Sequence, residues 1–432
     1  MNDMDAIEIP VCSGPVHGTM TPPGSKSITN RALVCAALAE GQTTLLDVLD
    51  SEDTRVMIHA WQKVGIDIQC ESDFSRVVVQ GCLGALPKAS VATPLDIFVQ
   101  NSGTSIRFLA AALAACGGKF RLDGIPRMRQ RPIGDLGQAL RKLGANVTCR
   151  DQLFPPVMID SDGLTGGFSE VAGDLSSQFL SGLLMAAPLA AEPVTLGVSG
   201  ELVSRPYVDM TCQVMKSFGV DVLQTPGEFQ IRPQKYQGRT YKVEPDASAA
   251  SYFWAIAAIT GGDVTVAGLD TSSLQGDVGF VECLKAMGCQ VEYKDRATRV
   301  VGGRLHGIDV NMNSISDTVQ TLAAVALFAD GTTTIHGVAH NRHKETDRIE
   351  DLATELRRMG ATVETFADGL SITPSQLKPT QVQTYNDHRM AMSLSLVGLR
   401  QSGIVIQNPS CTQKTYPKYF EDLFAFISAA NG

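Results

Sequence analysis

Pro22-Pro23-Gly24-Ser25-Lys26-Ser27-Ile28-Thr29-Asn30-Arg31 packs a turn, a helix start and two cations into ten residues. Two prolines and a glycine stop regular structure, and the apolar run from Ala32 to Ala39 then reads as helix. The unpaired N–H groups at such a start, with the helix dipole behind them, favour an anion. Lys26 is placed to meet that anion as a point charge, and Arg31, about a turn further in, offers a planar fork. Ser25 and Ser27 are equally ordinary N-cap residues. A nucleotide P-loop is not indicated, because Ser25 separates Gly24 from Lys26 and that motif needs the lysine directly after the glycine.

The pattern around this stretch recurs about every 70 residues, which points to a repeat-built molecule. A polar turn opens an Ala-rich helix, a Gly turn leads to a β-branched strand, and a second helix closes on apolar-Gly-apolar. In the first copy the strand is expected over Thr43 to Val48 and the second helix over Ser51 to Lys63, closing at Val64-Gly65-Ile66. Later copies open at Asn101-Ser102-Gly103, Asp174 to Gln178, Asp246-Ala247-Ser248, Ser316-Asp317 and Asn386-Asp387-His388-Arg389, six in all. Gln178 to Ala191 and Ala247 to Ile259 are apolar on nearly every face, so they should be buried all round. Ile133, Leu136, Leu140 and Leu143 form one stripe of a half-exposed helix, and Val291 to Lys294 alternates as in a sheet with one wet face. The expectation is an α/β fold with helices inside and sheets outside, three units to a domain. Helix starts pointing one way would form a shared anion-attracting surface, and N-caps do not call for Lys26, Arg31, Arg107 or Arg389.

A chain of 432 residues exceeds one ordinary core, so two domains are expected. No apolar run reaches eighteen residues, and the acidic start fits neither a signal nor a transit peptide, which suggests a cytoplasmic protein without a membrane partner. Ten cysteines without a Cys-x-x-Cys pair indicate neither zinc nor a disulfide framework. The formal charge of −9 argues against nucleic acid, so any anion site must be a local cationic cleft.

Two further clusters carry chemistry. Pro126 to Ile133 holds three arginines, of which Arg131, against Pro132 at an expected helix start, is the candidate ligand contact. Asn341-Arg342-His343-Lys344-Glu345-Thr346-Asp347-Arg348 reads either as a solvated helix face or as carboxylates held between cations, the layout of general acid–base chemistry. Asp317 and Lys414 are candidates to join it.

Together these motifs resemble the 5-enolpyruvylshikimate-3-phosphate synthase family, the 3-phosphoshikimate 1-carboxyvinyltransferases. The resemblance runs from about residue 12 to the end. It rests on Pro23 to Arg31, Asn101 to Thr104, Arg131-Pro132-Ile133-Gly134, Ser176-Ser177-Gln178-Phe179, Asp246-Ala247-Ser248, Lys344 to Arg348, Asn386 to Ala391 and Cys411 to Lys414. It implies two inside-out α/β barrel domains, each of three βαβαββ units, closing over a cleft: 26–241, and 1–25 with 242–432. It implies transfer of the enolpyruvyl group of phosphoenolpyruvate to the 5-hydroxyl of shikimate 3-phosphate through a tetrahedral intermediate, in aromatic amino-acid synthesis.

By that resemblance Lys26, Ser27, Arg31, Ser176, Ser177, Gln178, Ser204, Tyr207, Asp317 and Lys344 contact shikimate 3-phosphate. Lys26, Gly103, Arg131, Gln178, Arg348, Arg389 and Lys414 hold phosphoenolpyruvate. Lys26, Asp317 and Glu345 are the catalytic candidates: Asp317 would accept the hydroxyl proton and Glu345 would protonate the methylene carbon, the division among the three being open. No metal or cofactor is expected, and a monomer is. The sequence departs from the family pattern at Ser102, where Ala is usual, at Phe108, where Pro is usual, and at His340, where an Asn often stands. Phe108 is expected to alter the helix and the space beside Gly103, which leaves the response to glyphosate, the family's phosphoenolpyruvate-like inhibitor, open. The rivals are a UDP-N-acetylglucosamine enolpyruvyl transferase, whose usual loop cysteine is absent between Gly124 and Arg131, and a non-catalytic anion-binding module.

Overall fold

The computed structural model describes residues 5–88 and 93–429. The chain divides into two compact units, Gly24–Val243 and the residues before it together with Glu244–Gly432.

Within Gly24–Val243 three four-stranded sheets share one plan. In the second, Leu95–Phe98 runs parallel to Gly118–Asp123, which pairs antiparallel with Phe154–Ser161, itself antiparallel to Asn146–Arg150. The parallel pair needs a crossover, and helix Gly103–Cys116 supplies it. The third sheet repeats this with Gly167–Ala172, Val194–Ser199, Glu228–Ile231 and Leu223–Thr225. In the first, Gln42–Leu46 takes its parallel neighbour from Thr240–Lys242 at the far end of the unit. The other unit mirrors that exchange: His17–Met20, which leads into helix Lys26–Leu38, pairs in parallel with Asp263–Ala267. Its three-stranded sheet, in which Thr380–Val382 runs parallel to Ile404–Gln407, is completed by Ala6–Glu8, antiparallel to Ile404–Gln407.

The helices fall into the two expected kinds. Ala247–Thr260 is buried at all fourteen positions, and Val319–Ala326 and His388–Ser395 are buried throughout. Lys26–Leu38 is buried from Ile28 onward, and Gly103–Cys116 from Gly103 to Ala115. A helix that is apolar on all sides has to be enclosed, and alanine lets its neighbours approach. Glu52–Lys63, Gly134–Lys142, Arg205–Ser217 and Glu350–Arg358 each bury one stripe; Leu136 and Leu140 are buried while Gln138 and Arg141 are exposed.

Four local expectations are corrected. The helix expected from Gln178 to Ala191 is Ser177–Ala186 followed by a 3₁₀ turn at Ala187–Leu189, because Pro188 has no N–H to continue the ladder. The strand expected over Thr43 to Val48 is Gln42–Leu46, ended by Asp47 at φ 56. Arg131 does not begin a helix: it is extended (φ −87, ψ 128), as a residue before proline prefers, and the α-helix starts at Gly134. The segment from Asn341 to Arg348 is not a solvated helix face, because the 3₁₀ turn Ala339–His343 ends at an extended Lys344 and Arg348 is only 2% exposed.

Candidate active site

Five of the six opening helices are capped by a side chain. Ser25 accepts from the Ile28 N–H, Ser102 from Ser105, Ser176 from Gln178, Asp246 from Ala249 and Asp387 from Arg389. The fifth is different. Val319–Ala326 has no side-chain cap and is entered through the 3₁₀ turn Asn313–Thr318, which leaves the Asp317 carboxylate to face cations.

In the unit Gly24–Val243, Lys26 occupies the first turn behind Ser25 and lies 3.5 Å from buried Asp53. Arg31 is buried at the meeting of three repeats. Its Nε donates to Thr211 Oγ1 (2.7 Å), Nη1 to the Ser27 carbonyl (2.9 Å), and Nη2 to the Tyr207 carbonyl (3.0 Å) and Ser181 Oγ (3.4 Å). All four acceptors are neutral oxygens, and burial pulls its pKa down to about 10. A buried guanidinium without a carboxylate partner attracts an anionic ligand. Ser204, buried at φ 53 ahead of helix Arg205–Ser217, holds a conformation uncommon outside glycine, and the Tyr207 N–H donates to its carbonyl.

The same unit brings Gly103, Arg131 and Gln178 together. Arg131 Nη1 donates to the Asn101 carbonyl at 3.0 Å. A methyl group on Gly103 would lie 2.4 Å from Arg131 Nη2 and 2.8 Å from Arg107 Nη1, so glycine is what lets both guanidiniums close on the helix start. Arg107 ties this corner together, donating to Gln178 Oε1 (2.7 Å) and to the Pro132 carbonyl (3.1 Å). Gln178 Nε2 in turn donates to Thr104 Oγ1. Ser176 and Ser177 flank Gln178, Ser177 being buried.

The other unit gathers Asp317, Lys344, Glu345, Arg348, Arg389 and Lys414. Asp317 receives Arg389 Nη2 at 2.8 Å and Arg348 Nη1 at 3.2 Å, with Lys344 Nζ at 3.7 Å. Glu345 sits between Arg348 Nη2 (2.9 Å) and Lys414 Nζ (3.8 Å). Burial pulls the Arg348 guanidinium down, but Asp387, Glu345 and Asp317 together push it well above its ordinary value. His340 is driven the other way, to about 3, by burial and then by Lys344, so it is neutral beside these charges.

Sequence reasoning did not include four of these groups among its site residues. Asp387, fully buried, pairs with Arg348 through Nε at 2.7 Å while capping its own helix. Its place inside the Asn386 to Arg389 motif was the available signal. Arg107 was noted as a cation without a role, and Asp53, inside the helix expected over Ser51 to Lys63, was not singled out. Asp277, buried and bonded to Ser248, which Arg389 also reaches, carried no signal in the sequence.

Repeated α/β units whose helix starts hold buried guanidiniums, lysines and carboxylates are the arrangement of a protein that binds small polyanions. The sequence model of EPSP synthase (3-phosphoshikimate 1-carboxyvinyltransferase) matches residues 12–423. A 3-phosphoshikimate 1-carboxyvinyltransferase of Trichormus variabilis is 47% identical over 428 residues, 98% of this chain and all of that one. The one from Shewanella loihica is 49% identical over 416 residues, 95% and 97% of the two chains. Among solved structures, EPSP synthase from Acinetobacter baumannii superposes with a TM-score of 0.81 at 26% identity over 99% of this chain and 98% of that one. The chain belongs to the EPSP synthase family. It is a transferase of aromatic amino-acid biosynthesis, moving the enolpyruvyl group of phosphoenolpyruvate to shikimate 3-phosphate.

Proposed function

We propose that the side chains described above carry that transfer by addition and elimination at the 5-hydroxyl, each unit acting as one three-repeat inside-out barrel. Five four-stranded sheets of like plan, a three-stranded sixth, and opening helices buried along most of their length support the barrel reading. Lys26, Ser27, Arg31, Ser176, Ser177, Gln178, Ser204, Tyr207, Asp317 and Lys344 bind shikimate 3-phosphate. Lys26, Gly103, Arg131, Gln178, Arg348, Arg389 and Lys414 bind phosphoenolpyruvate.

Asp317 accepts the hydroxyl proton as oxygen attacks C2, and Glu345 delivers a proton to C3. Return of the C3 proton to Glu345 and departure of phosphate, which takes the proton held by Asp317 as its C2–O bond breaks, then form the enol ether of the product. The observation that carries this reading is the placement of Asp317 and Glu345 on opposite arms of one guanidinium, Arg348, with Arg389 and Lys414 as outer neighbours. Two carboxylates sharing a buried cation stay close to the substrate anions without repelling them outright. The enzyme is read as a cytoplasmic monomer. No helix among the described residues is long and apolar enough to cross a membrane.

The test follows phosphate release in Glu345→Gln with both substrates. Loss of turnover by about 10²–10⁴-fold, with shikimate 3-phosphate binding retained, is expected of a general acid–base group. Turnover at the parental rate removes Glu345 from the mechanism.

A further inference from the structure

Helix Gly103–Cys116 places Phe108 fully buried, and its ring lies under the Arg31 guanidinium, 5.2 Å from the ring centroid to the central carbon. The edges of that guanidinium are already committed. Four of its five N–H groups donate to Thr211, Ser27, Ser181 and Tyr207, from the first and third repeats. The contribution of the second repeat is the ring of Phe108, over which the Arg31 central carbon sits.

We propose that Phe108 is a positioning residue for shikimate 3-phosphate: its ring face holds Arg31 charged, flat and aimed, and thereby sets affinity for that substrate but not for phosphoenolpyruvate. The proposal rests on the reading of Arg31 as a shikimate 3-phosphate contact. The physical case is that each of these hydrogen-bond acceptors of Arg31 is a neutral oxygen, so the negative face of the aromatic quadrupole adds to the weak support its charge receives from the fold before substrate arrives. Burial already lowers the Arg31 pKa to about 10, and an aliphatic side chain at 108 offers nothing against that pull. None of the three atoms nearest to an added methyl on Gly103 belongs to Phe108; they belong to Arg131 and Arg107. A change at 108 therefore separates the two substrates.

Phe108→Met keeps most of the apolar bulk and removes the ring face. Titration of shikimate 3-phosphate alone, with steady-state kinetics for both substrates, is run on the parent, Phe108→Met, Arg31→Gln and the double variant. Loss of a desolvated cation–π contact predicts a rise of about tenfold or more in Kd and KM for shikimate 3-phosphate in Phe108→Met. The KM for phosphoenolpyruvate and kcat should stay within about twofold of the parent, and the double variant should bind no worse than Arg31→Gln. If Arg31→Gln weakens binding and Phe108→Met does not, or if Phe108→Met weakens it equally in both backgrounds, the positioning role is overturned while the site reading stands. If Arg31→Gln leaves shikimate 3-phosphate binding unchanged, the site reading itself is wrong, and the inference goes with it.

Discussion

Gly103 is held to hydrogen by two guanidiniums, since a β-carbon there would stand 2.4 Å from Arg131 Nη2 and 2.8 Å from Arg107 Nη1. Gly103→Ala must therefore displace Arg131. A shift of that kind raises the KM for phosphoenolpyruvate by roughly ten- to a hundredfold, with a smaller change for shikimate 3-phosphate, measurable in steady-state assays. Arg131→Ala should lower phosphoenolpyruvate use further, with an unaltered circular dichroism spectrum. His340 sets a pH dependence. Its folded-state pKa is depressed to about 3 against an ordinary 6.5, so the unfolded chain binds the proton more readily between those values. Its contribution to stability is complete above pH 6.5 and is lost as pH falls toward 3, at up to about 1.4 kcal/mol per pH unit. Replacing His340 by Asn should flatten the fall of Tm across that window; an unchanged acid limb counts against the assignment. Residue identity alone announced Lys26, Arg31 and Arg131, because cations in polar turns are conspicuous. It gave Asp387 and Asp53 no partner, because a buried carboxylate at a helix start looks like any other until the chain is packed.

At the scale of elements, Asp387 performs two tasks that one substitution separates. Asn caps a helix about as well as Asp, so Asp387→Asn keeps the bond to the Arg389 N–H and removes the charge facing Arg348. Breaking a buried pair costs about 3–5 kcal/mol, and with Asp317 and Glu345 still on Arg348 the lower end is expected, read from denaturant midpoints. Helix packing offers a second test. A β-carbon on Gly182 would lie 3.1 Å from the Arg107 carbonyl, so Gly182→Ala asks helices Ser177–Ala186 and Gly103–Cys116 to give by a few tenths of an ångström, and a loss of up to about 1–3 kcal/mol is expected where they do not. Gln178 and Arg107 ride on those helices, so kcat/KM should fall alongside Tm. These helices were legible from the sequence because an unbroken apolar run has one resting place. Their ends were less so: Pro188 and Asp47 cut elements short through backbone conformations that periodicity does not register.

Over the whole molecule, the net charge of −9 coexists with a buried Arg31 whose hydrogen-bond acceptors are all neutral and with a second cluster in which carboxylates already face the cations, so an anionic ligand is expected to relieve the first. Shikimate 3-phosphate at a hundred times its Kd should therefore stabilise the fold by about 2.7 kcal/mol, seen as a Tm several degrees higher, and inorganic phosphate alone should do far less. The amino-acid sequence determined, by itself, that there are six units, which helices are enclosed and which turns carry cations, because periodicity and capping act between residues a few positions apart. Only the tertiary structure decided that His17–Met20 and Thr240–Lys242 trade sheets, that Asp317 and Glu345 meet on Arg348, and that Phe108 lies under Arg31. The strand pairings, the Asp317–Arg348 pair and the Phe108–Arg31 contact join groups tens to hundreds of positions apart, and the strength of all these contacts depends on the burial that only the packed chain creates.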